Sequence, residues 1–399
     1  MMLPDAVISA PEREAGLRRK IFLATPTQFA SNGIGALFLR DLIASQPDIG
    51  FIVHEEPPFL MGGGSAMRAL RAASTRLPVF HSARLRWFRS RLLEKRVMAV
   101  AAAADAARAD CIWVTASSPE MIWIADLLAA GGRDVRATVW DAPEYLSGNL
   151  RLDAALQDTL VDSFGSLLRR ARAISVIGRT MQKDYLERYG VRSEIIRHGI
   201  DADPAMVGRK PRTGGPVRIV FAGSLYSKAE WNSFVGALDA ADWQVAGRPV
   251  LLHFMGRFPL SDARKPKQLV LLGEKPFDEA LKVMASMDIG YLPYWFDKRH
   301  EIVARTSFPG KLSAYAAAGL AVFHHAPPYT EATGFLRNYP FGLACPSLGS
   351  DDIVQALTQL VELAGTDKCC QARQAAVRDE LSREAAAARF RRFLARSPG

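Results

Sequence analysis

The chemistry most legible in this sequence is a single carboxylate. Asp141 lies in VWDAPEY and closes the apolar run 137–141, read as a buried strand. A carboxylate at a strand end is partly desolvated yet can reach a crevice, which suits proton abstraction from a hydroxyl. Glu144, three residues on, reads as an acid at a helix start. His54, Glu55 and Glu56 crowd another strand end and read as a solvated trio. Residues 221–231 (FAGSLYSKAEW) pair a strand with a Gly turn and a helix start. Gly223 lets the backbone approach a ligand, and Lys228 offers an ammonium to a phosphate. Any βα turn favours Gly and a surface Lys, so this segment alone decides little. In residues 25–35 (TPTQFASNGIG), Gly33 and Gly35 admit close approach of backbone amides to a phosphate or sugar. Their spacing is not GxGxxG and no acid follows at the dinucleotide position, which excludes a nicotinamide site. His324 and His325 are neighbours on a strand and point to opposite faces. No metal site and no cofactor is expected.

Charge adds a second theme. Lys+Arg number 51 and Asp+Glu 41, a formal net charge of +10. Residues 84–96 (RLRWFRSRLLEKR) concentrate it: Arg84, Arg86, Arg89 and Arg91 interleave with Trp87, Phe88 and leucines. Such a segment can lie on an anionic membrane or meet an acceptor. It equally fits an amphipathic helix packed on a sheet with a solvated basic face. Residues 389–392 (RFRR) form a weaker patch. No nucleic-acid-binding motif is present, and nucleic acid is not an expected partner.

These groups need a scaffold, and 399 residues imply two domains. Short apolar runs alternate with helical segments, the pattern of βαβ units and a parallel sheet. Strands are expected at 20–25, 51–54, 111–115, 137–141, 173–177 and 194–197, then at 217–222, 250–255, 268–272, 288–292 and 320–324. Residues 84–108 read as one long helix, and 55–65, with two Pro and three Gly, as a loop. The resulting division is a flexible tail (1–19), a first domain (20–200), a linker (201–216), a second domain (217–365) and a C-terminal helical segment (366–399) packing back toward the first. No apolar run is long enough to span a bilayer, and no signal peptide is evident. Cys111, Cys345, Cys369 and Cys370 have neither zinc nor disulfide-framework spacing, which implies a reducing compartment.

Residues 306–325 (TSFPGKLSAYAAAGLAVFHH) sharpen this reading. A loop with Pro309 and Gly310 feeds a short helix, Gly319 ends it, and a strand follows. Here the sequence resembles the retaining glycosyltransferases of family 4 and their GT-B relatives, many of which carry Pro-x-Lys-Leu at this helix start. Residues 196–201 (IRHGID), the turn at 221–228, 251–256, 271–273 and 285–293 (ASMDIGYLP) follow in the family's order. The resemblance covers roughly residues 20–364. It implies an α/β GT-B fold: two Rossmann-like, doubly wound domains facing a central cleft, acceptor in the first and nucleotide sugar in the second. It places Gly33, Gly35, Gly223, Ser224, Lys228, Pro309 and Lys311 at the donor. The sequence also departs from the family. The two Glu of its acidic motif correspond to Thr306 and Ala314, and Ser224 replaces the usual Arg. The divergent xanthan-type glucuronosyltransferase also lacks that Glu pair. It has an Asp serving as base of an inverting transfer at a comparable strand end, which assigns this role to Asp141.

The expectation is a metal-independent glycosyltransferase, cytoplasmic or peripheral on the inner membrane face. It would move a sugar from a nucleotide diphosphate sugar to a saccharide or lipid-linked acceptor in bacterial surface polysaccharide or glycolipid assembly. A GT-B nucleotide-sugar epimerase and a degenerate GT-B binding scaffold are the alternatives.

Overall fold

The computed structural model describes residues 6–7, 19–31, 33–56, 78–258 and 263–396. Most of the expected tail 1–19 and of the expected loop 55–65 lies outside them. The chain divides into two compact units, 1–196 with 386–399, and Arg197–Ala385.

The first unit holds strands β1 (Ala6–Val7), β2 (Arg19–Thr25), β3 (Ile49–Glu55), β4 (Cys111–Thr115), β5 (Val135–Thr138), β6 (Ala173–Val176) and β7 (Glu194–Ile195). They form one sheet in the order β1-β3-β2-β4-β5-β6-β7. All pairs are parallel except β1 with β3. Every residue of β4, β5 and β6 is buried, as a parallel sheet covered on both faces requires. The last helix, Arg383–Ala395, contributes Phe390, Phe393 and Leu394 to the core formed by Ile21, Leu23, Phe51 and Trp113. Buried Arg136 secures that helix end by donating to the carbonyls of Phe393 (2.8 Å) and Leu394 (2.6 Å), the favoured place for a cation on a helix.

The second unit holds β8 (Val217–Ala222), β9 (Gln244–Val245), β10 (Arg248–Met255), β11 (Leu269–Gly273), β12 (Ile289–Pro293), β13 (Ala321–His325) and β14 (Gly342–Cys345). Its sheet runs β11-β10-β8-β12-β13-β14, with β9 antiparallel to β10. In chain order the six parallel strands read 3-2-1-4-5-6, the dinucleotide-fold winding, whose direction reverses between β8 and β12. In the first unit the winding reverses between β2 and β4. There the Oγ1 atoms of Thr25 and Thr115 meet at 2.8 Å. Ligands of such sheets bind beyond the strand ends at these reversals.

Some element boundaries differ from the sequence reading. β5 stops at Thr138, so Asp141 sits in the turn beyond the strand. That turn is followed by the helix Pro143–Asn149, whose Pro143 favours a helix start. The expected helix 84–108 is two helices, Pro78–Arg91 and Leu93–Ala106. Residues 201–216 contain the helix Pro204–Val207. Buried Arg373 holds this segment by donating to the carbonyls of Val207 (2.7 Å) and Arg209.

Candidate active site

In the second unit, three expected donor residues meet at the winding reversal. Gly223 follows β8 with φ +92°, a conformation that favours glycine. A Cβ there would stand 3.2 Å from Cε of Lys311. Gly256, at the end of β10, has φ +137°, and a Cβ on it would lie 2.7 Å from the Gly223 carbonyl oxygen. Two glycines therefore let two strand ends close over the lysine. Lys311 Nζ donates to the Ser224 carbonyl at 3.1 Å. It also lies 4.5 Å from the ring centre of Phe221 and 4.3 Å from that of Tyr226, the geometry of cation–π attraction. Among the described residues it has no carboxylate partner. Burial lowers its pKa from the usual lysine range to about 7. An ammonium supported only by a carbonyl and two ring faces is short of negative charge and suits an anionic ligand.

The surrounding shell is aromatic. Tyr226 packs on Trp295 at 4.7 Å, and Trp295 stacks on His300 at 4.6 Å and 12°. Glu230, buried in the first turn of helix Lys228–Ala240, accepts from the Phe296 amide at 2.9 Å and so holds the segment after β12. Lys228 begins that helix, half-buried. Tyr226, Trp295 and Glu230 were missed by the sequence reading. Their signal is faint: one aromatic inside the turn 221–228 and a YWF run after β12.

Pro309 caps the helix Gly310–Ala317, which carries Lys311 at its second position. Thr306 and Ala314, the positions of the missing acids, are buried; the Thr306 hydroxyl donates to the Ile302 carbonyl at 2.7 Å. Tyr315 is core: its ring abuts Gly290, and its hydroxyl accepts from the Ala222 amide and donates to the Tyr291 carbonyl, each at 3.1 Å. Both histidines of β13 are fully buried, and burial lowers their pKa values to about 4. Their ring nitrogens are spent on Leu292 and Thr330 (His324) and on Tyr291 and Ser347 (His325). Among the described residues no group of three or more His, Cys, Asp or Glu is arranged to hold a metal ion. Arg197 is 1% exposed and paired with two buried glutamates.

In the first unit, Asp141 has no hydrogen bond or ion pair among the described residues. Burial alone raises its pKa to about 6. A carboxylate so shifted is a stronger base than usual yet still ionised at neutral pH. The preceding Trp140 forms a wall against the start of helix Ile34–Ala44: a Cβ on Gly35 would lie 3.1 Å from its indole. Gly33 precedes helix Ile34–Ala44 in extended conformation, with room for a Cβ. Its neighbouring loop is pinned by Arg40, which donates to the carbonyls of Phe29 and Ser31. Glu144 pairs with Arg188 at 2.7 Å, a structural role. His54 and Glu56 are joined at 3.3 Å, and Glu56, which is buried, also pairs with Arg96.

The basic segment is more committed to its own unit than its composition suggests. Arg84 pairs with buried Glu120 at 3.3 Å, Arg86 with Asp153 at 2.6 Å, and Arg89 lies 5.6 Å over the Trp123 ring. Arg91 and Lys95 are exposed. The hydrogen bonds from Leu92 to Phe88 (2.8 Å) and from Arg96 to Leu92 (2.9 Å) carry the helical ladder across the break. Phe80, Trp87 and Met98 are 53%, 48% and 71% exposed. Phe80 and Trp87, seven residues apart, lie on one face of the helix Pro78–Arg91, and Met98 lies on the helix Leu93–Ala106. No helix among the described residues is long and apolar enough to cross a membrane.

No protein-family model matches this sequence, and no curated protein matches it. Solved structures do. Sucrose-phosphate synthase from Thermosynechococcus elongatus is 14% identical, with a TM-score of 0.61, covering 95% of this chain and 100% of its own. The Anabaena protein HepE in complex with UDP is 15% identical, with a TM-score of 0.57, over 94% and 99%. The UDP-forming α,α-trehalose-phosphate synthase of Burkholderia xenovorans, in complex with glucose-6-phosphate, is 11% identical, with a TM-score of 0.59, over 94% and 99%. At such identity the likeness carries architecture and leaves chemistry to the site. The chain has the GT-B fold, two Rossmann-like doubly wound α/β units in one polypeptide.

Proposed function

We propose that this protein is a glycosyltransferase that takes a sugar from a nucleotide diphosphate sugar and passes it to a saccharide or lipid-linked acceptor in surface polysaccharide or glycolipid assembly. The observation that carries this is Lys311, an ammonium without a carboxylate, set against Gly223 and Ser224. In this reading the donor diphosphate lies on Lys311, with Lys228 and the amides that follow Gly223 and Pro309, those of Ser224 and Gly310, adding donors. These groups stabilise the leaving nucleoside diphosphate, the work a metal ion does elsewhere. Asp141 takes the proton of the acceptor hydroxyl as its oxygen bonds to the sugar carbon, the bond to the diphosphate breaking on the opposite side with inversion. Gly33 and Gly35 line the sugar's approach. HepE was solved in complex with UDP and the trehalose-phosphate synthase is UDP-forming, so UDP sugars are the first donors to try. A thermal-shift screen against UDP, GDP, dTDP and CMP sugars is expected to raise the melting temperature with one nucleotide class. No shift with any of them refutes the proposal. Turnover of the bound donor without added acceptor favours the epimerase reading instead.

The proposal extends to an anionic membrane surface, supported by exposed Phe80 and Trp87 on the first helix and Met98 on the second, with exposed Arg91 and Lys95. Arg84 and Arg89 serve the packing of this segment. The protein is expected to sediment with phosphatidylglycerol vesicles and not with phosphatidylcholine vesicles. Replacing Trp87 and Met98 by Ala, or Arg91 and Lys95 by Gln, is expected to release it with nucleotide binding intact. Equal sedimentation of these variants removes the membrane from the proposal.

A further inference from the structure

Arg197 is the first residue of the second unit and is 1% exposed. One terminal nitrogen donates to Glu331 at 2.9 Å and the other to Glu380, and both glutamates are buried. The flat guanidinium lies over the Phe308 ring, 4.3 Å from its centre, and over Phe335 at 5.2 Å. The two rings meet edge to face at 5.1 Å. Phe308 directly precedes Pro309, the cap of the helix that carries Lys311.

Taking an arginine and two carboxylates out of water is costly, and well-packed apolar residues often serve stability better. What an arginine offers here is geometry: a rigid fork for two carboxylates and a planar face for a ring. The backbone bonds flanking Phe308 are local, from Ser307 to Val303 and from Leu312 to Pro309, each at 2.9 Å. The clamp on Phe308 is the longer-range tie. Glu380 belongs to Val377–Leu381, next to the point where the chain leaves the second unit. Ile200 donates to the Leu381 carbonyl at 2.8 Å, and a Cβ on Gly199 would come within 2.6 Å of the Ser382 carbonyl. The same guanidinium thus ties the segment entering the unit, the segment leaving it and the loop that sets the lysine.

We propose that Arg197 is a positioning residue for Lys311, holding the Phe308–Pro309 loop through its fork to Glu331 and Glu380. This deepens the donor-site reading and rests on it. An ammonium displaced by about an ångström meets a diphosphate poorly, so the arginine acts on the ligand through a ring and a helix cap.

The test uses the full chain. Arg197→Lys keeps the charge and loses fork and plane, whereas Phe308→Leu keeps the ion pairs and loses the stacked ring. Each folded variant is expected to bind UDP, or whichever nucleoside diphosphate the wild type binds, about tenfold more weakly, about 1.4 kcal/mol. In a Lys311→Met background neither change is expected to weaken binding further. NMR titration of the Lys311 side-chain nitrogen is expected to show a moved midpoint in both variants. A purely structural role would lower the melting temperature and leave the affinity and midpoint of the folded variant at wild-type values, and that result overturns the proposal. If Arg197→Lys does not fold, Phe308→Leu decides. If the wild type binds no nucleoside diphosphate, the donor reading fails, and the Lys311 titration alone decides the positioning role: an unmoved midpoint overturns it.

Discussion

Asp141→Asn is expected to lower sugar transfer by about 100- to 10,000-fold, the range of a general base, while nucleotide binding stays unchanged. Asn keeps the shape and cannot take a proton. In the wild type, kcat/KM is expected to rise with pH through about 6, because burial places the carboxylate's pKa there, and to fall above about 7 as Lys311 loses its charge. The variant loses the rising limb. The same burial has an opposite consequence for stability. The native pKa lies above the ordinary value, so the folded state holds the proton more tightly than the unfolded chain. Stability from this group is present below about pH 4 and is lost as pH rises to about 6, where the carboxylate ionises without a partner. Asp141→Asn is therefore expected to melt higher than the wild type at neutral pH. A less active and more stable variant is the signature of a functional strain site. Undiminished transfer by the variant refutes the assignment, and an unchanged melting temperature refutes the burial argument.

Lys311→Met is expected to weaken nucleoside diphosphate binding by about 10- to 100-fold, the worth of a hydrogen bond to a charged group. It is also expected to lower turnover by about 100- to 1,000-fold through the lost leaving-group stabilisation. Methionine keeps the contact with Phe221 and Tyr226, so the fold is expected to hold. The lysine's pKa is lowered to about 7, which makes its charge conditional. The groups facing it are the Ser224 carbonyl and the rings of Phe221 and Tyr226; the Tyr226 phenol is pushed up by burial, so it stays neutral near pH 7. Bound diphosphate favours the ammonium, so binding takes up a proton above about pH 7 and affinity falls as pH rises. Calorimetry in buffers of different ionisation enthalpy is expected to show this uptake in the wild type and none in Lys311→Met. With folding the sign is reversed. The native pKa lies below the ordinary lysine value, so the unfolded chain binds more protons above about pH 7, and the stability contribution of this group rises with pH there. Equal affinity of variant and wild type sinks the donor assignment.

How far the sequence speaks depends on how local the cause is. The strands at 111–115 and 217–222 were legible to the residue, because continuous β-branched and aromatic runs between turns allow little else. The turn at Gly223 was legible because its positive φ demands that residue. Boundaries set by distant partners were not. β5 ends at Thr138, whose hydroxyl meets Ser175 at 2.8 Å and Trp113 at 2.8 Å, although the apolar run continues to Asp141. β14 has no strong pattern of its own and exists because β13 offers it an edge.

By itself the sequence determined two α/β halves, a glycine turn followed by lysines, an exposed-looking basic segment and an acid near a strand end. These follow from periodicity and residue type, which act over a few neighbours. The tertiary structure decided which charges are free for chemistry. Arg84, Arg86 and Arg197 look alike in the sequence to Arg91 and Lys311, yet carboxylates far along the chain occupy the first three. Lys311 is left with two rings and a carbonyl, and Asp141 with no partner among the described residues. Desolvation and pairing depend on what packs against a group in three dimensions, so only the fold could separate an ammonium without a carboxylate from an arginine that is already paired.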